Sequence, residues 1–201
     1  MGEVCPPNPI ASTSRARVGI AVNVDQARGI DFMVDDVSGE RRTSGSAAAL
    51  AGIEAAHERA DLTALATAID RYMCGYAMVF GFGGIPLLYM GDEIGLSNDN
   101  TYVDDAAKAA DNRWIHRPAM DWTTALKAQA GQDPLSVGTQ IRARMQRLID
   151  ARRSLPALHA AVATSVRAGR GAGVAIFDRR HPAGDRLARA RSAENRPRAD
   201  P

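Results

Sequence analysis

The segment from Asp61 to Met90 constrains the fold more than any other part of the chain. Across Asp61–Phe80, apolar side chains recur at spacings of three and four residues, which places them on one stripe of a helix. Gly81–Gly84 ends that pattern, and Ile85–Met90 is a continuous apolar run typical of a buried parallel strand. The order of helix, glycine turn and buried strand predicts an α/β unit, whose sites form after the carboxyl end of the strand.

Four further segments carry local patterns. The alanine-rich stretch Ser44–Glu54 predicts a helix, because alanine has the highest helix propensity. Val137–Arg153 predicts another helix, whose arginines we interpret as a solvated face that suits the negative end of the helix dipole. Gly173–Phe177 predicts a short strand, whereas no strand or helix face is predicted after Arg180. Between these elements, Gly91–Trp122 predicts a long acidic loop, and loops of that length are usually functional or disordered.

Length and charge limit the possible classes of protein. A complete (β/α)₈ barrel needs about 250 residues, so a chain of 201 residues is too short for a complete barrel enzyme. The formal net charge of +2 is too small to indicate binding to nucleic acid or to an anionic membrane. Cys5 and Cys74 are far apart and have no metal-ligand spacing, and we identify no signal peptide or transmembrane span. We therefore expect a reduced, cytoplasmic protein.

One set of motifs is more specific than these patterns. Residues 84–95 read GIPLLYMGDEIG, followed by ND at 98–99, DNRW at 111–114, HRP at 116–118 and MDW at 120–122. This series resembles the last barrel strand and the following loop of the α-amylase superfamily, glycoside hydrolase family thirteen. Within that superfamily it is most similar to the amylosucrases, and the similarity extends from Ala27 to Asp178.

The resemblance implies an α/β fold: the C-terminal part of a (β/α)₈ TIM barrel plus the start of a C-terminal β domain, both incomplete. It divides the chain into four parts. Residues 1–26 are unmatched and expected to be disordered, and 27–160 correspond to the C-terminal portion of the barrel. Residues 161–178 begin the β domain, and 179–201 form an Arg-rich unmatched tail.

The resemblance also implies an activity. Amylosucrases transfer the glucosyl unit of sucrose to an α-1,4-glucan, release fructose, and retain the anomeric configuration. Retention requires two carboxyl groups about 5 to 5.5 Å apart. In the family the nucleophile, the acid/base and a stabilising Asp lie upstream of the matched region, so we predict no catalytic residue here and an inactive fragment. Sucrose and α-glucan are the expected partners, without a cofactor, nucleic acid or membrane.

Three alternatives remain at this stage. The chain could derive from a sucrose hydrolase or another α-amylase-family enzyme, since these share the pocket motifs. It could be a non-catalytic remnant that binds glucan or a protein. A third possibility is a nucleic-acid binder that uses the basic tail, and its binding would depend steeply on salt.

By resemblance, Arg113 and Arg42 are the substrate-binding residues. Arg113 matches an Arg that forms a salt bridge in the sucrose pocket with an Asp from an early barrel loop, a task that suits a planar guanidinium. Arg42 matches an Arg that contacts the acceptor glucan. Six further residues are predicted to have structural roles in the loop, namely Asp92, Glu93, Trp114, His116, Arg117 and Trp122. Trp114 and Trp122 could instead each stack against a sugar ring. The preferred prediction is that both pack the loop onto the barrel.

Several carboxylates and one histidine of this region are candidates for catalysis or metal binding. Asp92 and Glu93 are adjacent, so at the end of a strand their side chains would diverge and could not form a retaining pair. His116 has no second ligand at metal spacing, which favours a hydrogen bond that stabilises the loop. Calcium would require oxygen ligands, which Asp99, Asp104 and Asp105 offer without EF-hand spacing. We therefore predict no metal site.

Overall fold

A computed structural model describes residues 26–169, 174–182, 184 and 186–191. Within these ranges the chain forms five α-helices and two antiparallel sheets. The helices are α1 (Ala47–Leu50), α2 (Ile53–Glu58), α3 (Leu62–Gly81), α4 (Trp122–Gln129) and α5 (Val137–Ser154). The strands are β1 (Ile30–Phe32), β2 (Arg42–Ser44), β3 (Thr164–Ala168), β4 (Val174–Arg180) and β5 (Arg186–Arg191).

The core lies between α3 and α5, the two longest helices. Asp61 caps α3 by accepting a 2.9 Å hydrogen bond from the amide of Ala64, and Ser136 caps α5 in the same way. Most of the predicted apolar stripe of α3 packs there, with Ile69 buried in the same cluster as Ile141 and Met145 of α5, whereas Leu62 is 78% exposed. Both helices predicted from periodicity are therefore confirmed. The predicted Ser44–Glu54 helix is instead divided at Gly52, whose φ of 93° separates α1 from α2.

The sheets are small and entirely antiparallel. In the two-stranded sheet, Ile30 of β1 pairs with Ser44 of β2. The other sheet has the order β3-β4-β5, with Val166 of β3 opposite Phe177 of β4. The strand predicted at Gly173–Phe177 is confirmed for Val174–Phe177, which lie in β4, while Gly173 lies outside the described residues. The prediction that no strand follows Arg180 is wrong, because the backbone of β5 pairs with that of β4.

The predicted α/β fold, part of a (β/α)₈ barrel with the start of a β domain, is wrong. The described residues form five helices with two small antiparallel sheets, and no parallel strand pair is found among them. Ile85–Met90 is not a strand, and the side chains of Ile85 and Leu87 are 87% and 79% exposed. A continuous apolar run becomes a buried strand only where neighbouring strands pair with it. Here no backbone carbonyl of a described residue accepts a hydrogen bond from the N–H groups of Ile85, Leu87 and Leu88.

Two arginines fix the end of α3. Arg179, which is fully buried, donates hydrogen bonds to the carbonyls of Ala157, Gly81, Phe82, His159 and Val162. Arg152 donates to the carbonyls of Phe80, Phe82 and Gly84. The last carbonyls of a helix lack partners within that helix, and these two guanidinium groups supply them.

Two arginine predictions therefore need correction. The arginines of α5 are not uniformly a solvated face, since Arg152 binds carbonyls and Arg144 forms a 2.5 Å salt bridge with Asp70 of α3. Arg179, which the resemblance assigned to the Arg-rich tail, has no exposed surface. Its position two residues after the buried Phe177 places both side chains on the same face of β4.

Several sequence predictions fall outside what the structure describes. All but the last residue of the unmatched segment 1–26, and residues 192–201 of the Arg-rich tail, lie outside the described ranges. The proposed domain boundaries remain predictions. In the described part of the chain, none of the helices combines the length and apolarity needed to cross a membrane.

Candidate functional site

The loop that carries the predicted site packs against the start of the helical region. The hydroxyl of Ser44 in β2 donates a 3.4 Å hydrogen bond to Asn112 Oδ1. Asn98 Oδ1 accepts a 2.7 Å hydrogen bond from the amide of Ser46, and its Nδ2 donates to the carbonyl of Arg28. These contacts connect residues far apart in sequence, so the loop has a defined place beside β2 and α1.

The loop is more regular than predicted. It contains three short 3₁₀ helices, Asp92–Ile94, Asn100–Asp104 and Asn112–His116. Asp99 and Asp111 cap the second and third of these by accepting hydrogen bonds from backbone amides two residues ahead. Tyr102 and Ile115 are buried and anchor the loop. Asp99 and Asp111 therefore serve to begin helical turns, a common use of aspartate.

Arg113 lies at the start of the third 3₁₀ helix and is held by Asp111. Its Nε and Nη2 donate to both carboxylate oxygens, with Nη2–Oδ2 at 2.7 Å. The Arg113 hydrogen bonds lower the pKa of Asp111 to about 2, and Asp111 in turn raises the pKa of Arg113. The partner that the resemblance implied was an Asp from a distant loop, whereas the partner found is two residues away. The Arg113 side chain remains 61% exposed.

Arg42 is an exposed residue of β2 and lies opposite Phe32 in the sheet. Its neighbour Arg41, and not Arg42, forms the salt bridge with Asp31, at 2.9 Å. Because β2 packs against the 3₁₀ helix that carries Arg113, both predicted substrate-binding arginines lie on elements in contact with each other. We call Arg42 and Arg113 the arginine pair.

The two tryptophans differ in environment. Trp114 is half-buried, and the cationic groups of Lys108 and Arg117 both lie 5.3 Å from its ring centroid. This arrangement fits a structural role for Trp114 and Arg117, since a cation over an indole stabilises a loop. Trp122 begins α4 and is 68% exposed. Its side chain therefore does not pack the loop as predicted.

Asp92 and Glu93 are both engaged within the protein. Asp92 Oδ2 accepts a hydrogen bond from the Tyr76 hydroxyl, and its carbonyl accepts one from Tyr72 at 2.6 Å. Burial raises the pKa of Asp92, and burial likewise raises the pKa of Tyr72 and of Tyr76. Glu93 Oε2 accepts from the amide of Gly91 at 2.9 Å. Both tyrosines belong to the stripe predicted across Asp61–Phe80, and that periodicity does not predict their contacts with Asp92.

His116 lies beside a cavity of about 190 Å³. The Nδ1 atom is buried and has no hydrogen-bond partner among the described residues, so the predicted stabilising hydrogen bond is not found at that atom. Burial lowers the pKa of His116, and the nearby Arg117 lowers it further. The cavity is also lined by Asp92, Met90, Leu96 and Pro118. We call it the His116 cavity.

Of the three aspartates that could offer calcium ligands, Asp99 and Asp105 each have a partner within the protein. Asp99 accepts hydrogen bonds from Thr101, and Asp105 forms a 2.9 Å salt bridge with Lys108. Across the residues that the structure describes, no group of three or more His, Cys, Asp or Glu side chains is arranged to hold a metal ion.

Arg113, Trp114 and His116 thus lie on one 3₁₀ helix, and Arg42 lies on the strand β2 that contacts this helix. Neither Trp122 nor Glu93 lines the His116 cavity. When the chain is compared with models of known protein families, none of them matches it.

Proposed function

We propose that this chain is the sugar-binding part of an amylosucrase-type glucosyltransferase, and that it binds sucrose and α-1,4-glucan without cleaving them. The observation that carries the proposal is the arrangement of Arg113. Asp111 fixes the guanidinium through Nε and Nη2 while the side chain stays exposed. A ligand therefore meets a cation whose position is already set, which reduces the entropy lost on binding.

The free donors of Arg113 suit a carbohydrate. A guanidinium has five N–H donors, and those that do not face Asp111 have no partner among the described residues. Sugar hydroxyls accept hydrogen bonds from such donors without needing a negative charge. Arg42 offers a second exposed guanidinium on the adjoining strand, in keeping with contact to a longer acceptor chain. The exposed Trp122 remains available as an aromatic platform.

The carboxyl groups near the site support binding without cleavage. Asp111 is paired with Arg113, Asp92 accepts from Tyr76, and Glu93 accepts from the amide of Gly91. A retaining glycosidase needs one ionised nucleophile and one protonated acid about 5 to 5.5 Å apart. Each of these three groups already has a partner within the protein, so none is proposed as nucleophile or acid.

A sucrose hydrolase origin differs from this proposal in its acceptor. Such an enzyme passes the glucosyl unit to water and has no need to hold a glucan. Binding of a glucan through Arg42 therefore favours the transferase. We place the protein in the cytoplasm on its cysteine content alone.

The binding proposal is tested by calorimetric titration of the chain with sucrose and with a linear α-1,4-glucan of seven glucose units. We expect Arg113→Ala to weaken both interactions at least tenfold and Arg42→Ala to weaken only the glucan. Arg153→Ala, which removes an exposed arginine of α5, is the matched control and should leave both unchanged. Equal affinities for the parent chain and Arg113→Ala would contradict the proposal.

The absence of cleavage has a separate test. The purified chain is incubated with sucrose, and released fructose is measured enzymatically over hours. We expect no release above that of a buffer control. Fructose release that scales with protein concentration would disprove the non-catalytic part of the proposal and leave the binding part to the titrations.

A further inference from the structure

His116 ends the third 3₁₀ helix and has a ring nitrogen that is shielded from solvent. Its Nδ1 atom is buried and has no hydrogen-bond partner among the described residues. A neutral imidazole with its proton on Nε2 presents only a lone pair at this atom, whereas the imidazolium ion has an N–H donor at both nitrogens. Protonation of the ring therefore buries a charged donor without an acceptor, which makes it the more costly state in this environment.

The nearest charges also oppose a proton on the ring. Burial lowers the pKa of His116 most, and the Arg117 and Arg113 guanidinium groups lower it further. The Asp111 carboxylate acts in the opposite direction, but Arg113 already holds both of its oxygens. The net effect of these groups favours the neutral imidazole.

The elements packed against this helix do not supply the missing acceptor. In the described chain, the titratable groups on those elements and beside the His116 cavity are Arg42 of β2, Tyr102 and Asp104 of the second 3₁₀ helix, Asp99 that caps it, Tyr89 and Asp92. None of their carboxyl groups forms a hydrogen bond with His116 Nδ1. The Asp92 carboxyl already accepts a hydrogen bond from Tyr76.

The third 3₁₀ helix is attached to its neighbours through Ile115 and Asn112. The Ile115 side chain is buried, and its carbonyl accepts a 2.8 Å hydrogen bond from the amide of Asp99. Asn112 Oδ1 accepts the 3.4 Å hydrogen bond from Ser44. Short 3₁₀ segments have poor hydrogen-bond geometry, and segments of this kind open locally at a lower free energy than the core.

Acid acts differently on the closed and the open form of this helix. In the closed form His116 resists protonation, whereas in an open, solvated form the ring titrates near its ordinary pKa of 6.5. Because the pKa is lowered in the closed form, that form is fully favoured above pH 6.5. Its advantage is lost as the pH falls towards the lowered pKa, by up to about tenfold per pH unit.

We propose that His116 is an acid-sensitive switch for the third 3₁₀ helix: the neutral imidazole keeps the helix packed against β2, and a proton on the ring opens it and displaces Arg113. The inference rests on the proposed function only for what the switch controls, namely sugar binding through Arg113. The opening of the helix is argued from the buried nitrogen and its neighbours alone.

The test follows hydrogen exchange in the full chain between about pH 7.5 and 5. The amides of Trp114 and Arg117 donate to the carbonyls of Asp111 and Trp114, so their protection reports whether the helix is closed. After correction for intrinsic exchange, we expect their protection to fall at least threefold below pH 6.5, in step with the titration of the His116 ring resonances. The amide of Met145, in the core, reports global unfolding and should keep its protection.

Variants identify the group that titrates. His116→Phe and His116→Gln each remove it, and protection should then be independent of pH. The two replacements disturb the packing differently, so a variant that opens the helix at every pH is checked by the other. His57→Phe changes an exposed histidine of α2 and should keep the response of the parent chain. Asp92→Asn removes another titrating group beside the cavity and should keep it as well.

The outcomes separate the switch from the proposed function. Protection that stays constant down to about pH 5, or that falls to the same extent in both His116 variants, would overturn the switch. Sucrose titration near pH 7.5, where the helix is closed, decides the proposed function. An acid response that depends on His116 without any sucrose binding supports the switch and contradicts the proposed function. Sucrose binding without an acid response overturns the switch and leaves the proposed function standing.

Discussion

Arg179 and Arg113 carry the same chemical group in opposite environments. Arg179 has no exposed surface and binds only backbone carbonyls, which join β4 to the end of α3. Arg113 is 61% exposed and binds one carboxylate within its own loop. A guanidinium whose donors are all directed at the backbone stabilises the fold, whereas one fixed along a single edge keeps donors for a ligand. Burial, more than residue type, separates the two roles.

Replacing the buried arginine, Arg179, should have the largest effect on stability. Arg179→Met leaves several buried carbonyls without donors, and each unsatisfied buried group costs about 1–3 kcal/mol. We expect the free energy of unfolding, measured by urea denaturation, to fall by at least about 3 kcal/mol. Arg180→Met, at the adjacent position with 71% exposure, is the control and should change it by less than about 0.5 kcal/mol. Equal effects at the two positions would remove the distinction drawn here.

Arg152 tests whether the second anchor is independent. Its contacts lie at the same end of α3 but its environment is less buried, so Arg152→Met should cost about 1–2 kcal/mol in the same denaturation experiment. The two guanidinium groups share the Phe82 carbonyl, which keeps one donor in each single variant and loses both in the double variant, so the double variant with Arg179→Met should lose more than the two single losses combined. Strict additivity would indicate that the two anchors do not share that acceptor.

At the exposed arginine, Arg113, a substitution should abolish binding without lowering stability. Arg113→Ala should leave the midpoint of urea denaturation close to that of the parent chain, because exposed ion pairs contribute little to stability. The same variant should lose sugar binding in the titrations described above. A large fall in stability would show that Arg113 is an anchor like Arg179.

The smallest effect concerns the titration of Asp111. Its carboxyl resonance should titrate with a pKa of about 2, and Arg113→Ala should return it towards the ordinary value of 3.8. Because the folded pKa is lowered, the pair stabilises the protein above pH 3.8 and this contribution is lost as the pH falls towards 2. An unchanged titration in Arg113→Ala would show that Arg113 does not hold this carboxylate.

Local patterns predicted the helices α3 and α5 and the strand β4, because an apolar stripe or a short β-branched run determines each of them. They did not predict the environment of Ile85–Met90, since strand formation there depends on neighbours that a pattern within the segment cannot reveal. At the site, motif positions identified Arg113 and Arg42 as candidates. The resemblance implied that Arg113 pairs with an Asp of an early barrel loop, a segment upstream of the matched residues, whereas the structure pairs Arg113 with Asp111, two positions away.

The buried arginine was missed for a related reason. Its charge and position in an Arg-rich stretch favoured a solvated tail over a place in the core. The period of two in β4 offered the missing signal, since Phe177 and Arg179 share one face. Tyr76 likewise lies on the apolar stripe of α3, and its hydroxyl donates a hydrogen bond to Asp92. Arginine and tyrosine side chains have an apolar part and a polar end. The periodicity of the sequence does not reveal where the polar end lies.

The exposed extended segment Ile85–Met90 has a consequence for how the chain is handled by proteases. Proteases take substrates in an extended form, and Leu87 presents its side chain to solvent on backbone without hydrogen-bonded neighbours in the described chain. Among the described residues, the bond after Leu87 is therefore an expected site of cleavage. The two pieces would nevertheless stay associated, because α3 on one side and α5 on the other share the core and the Arg152 contacts. A chain nicked there would migrate as one body until it is denatured.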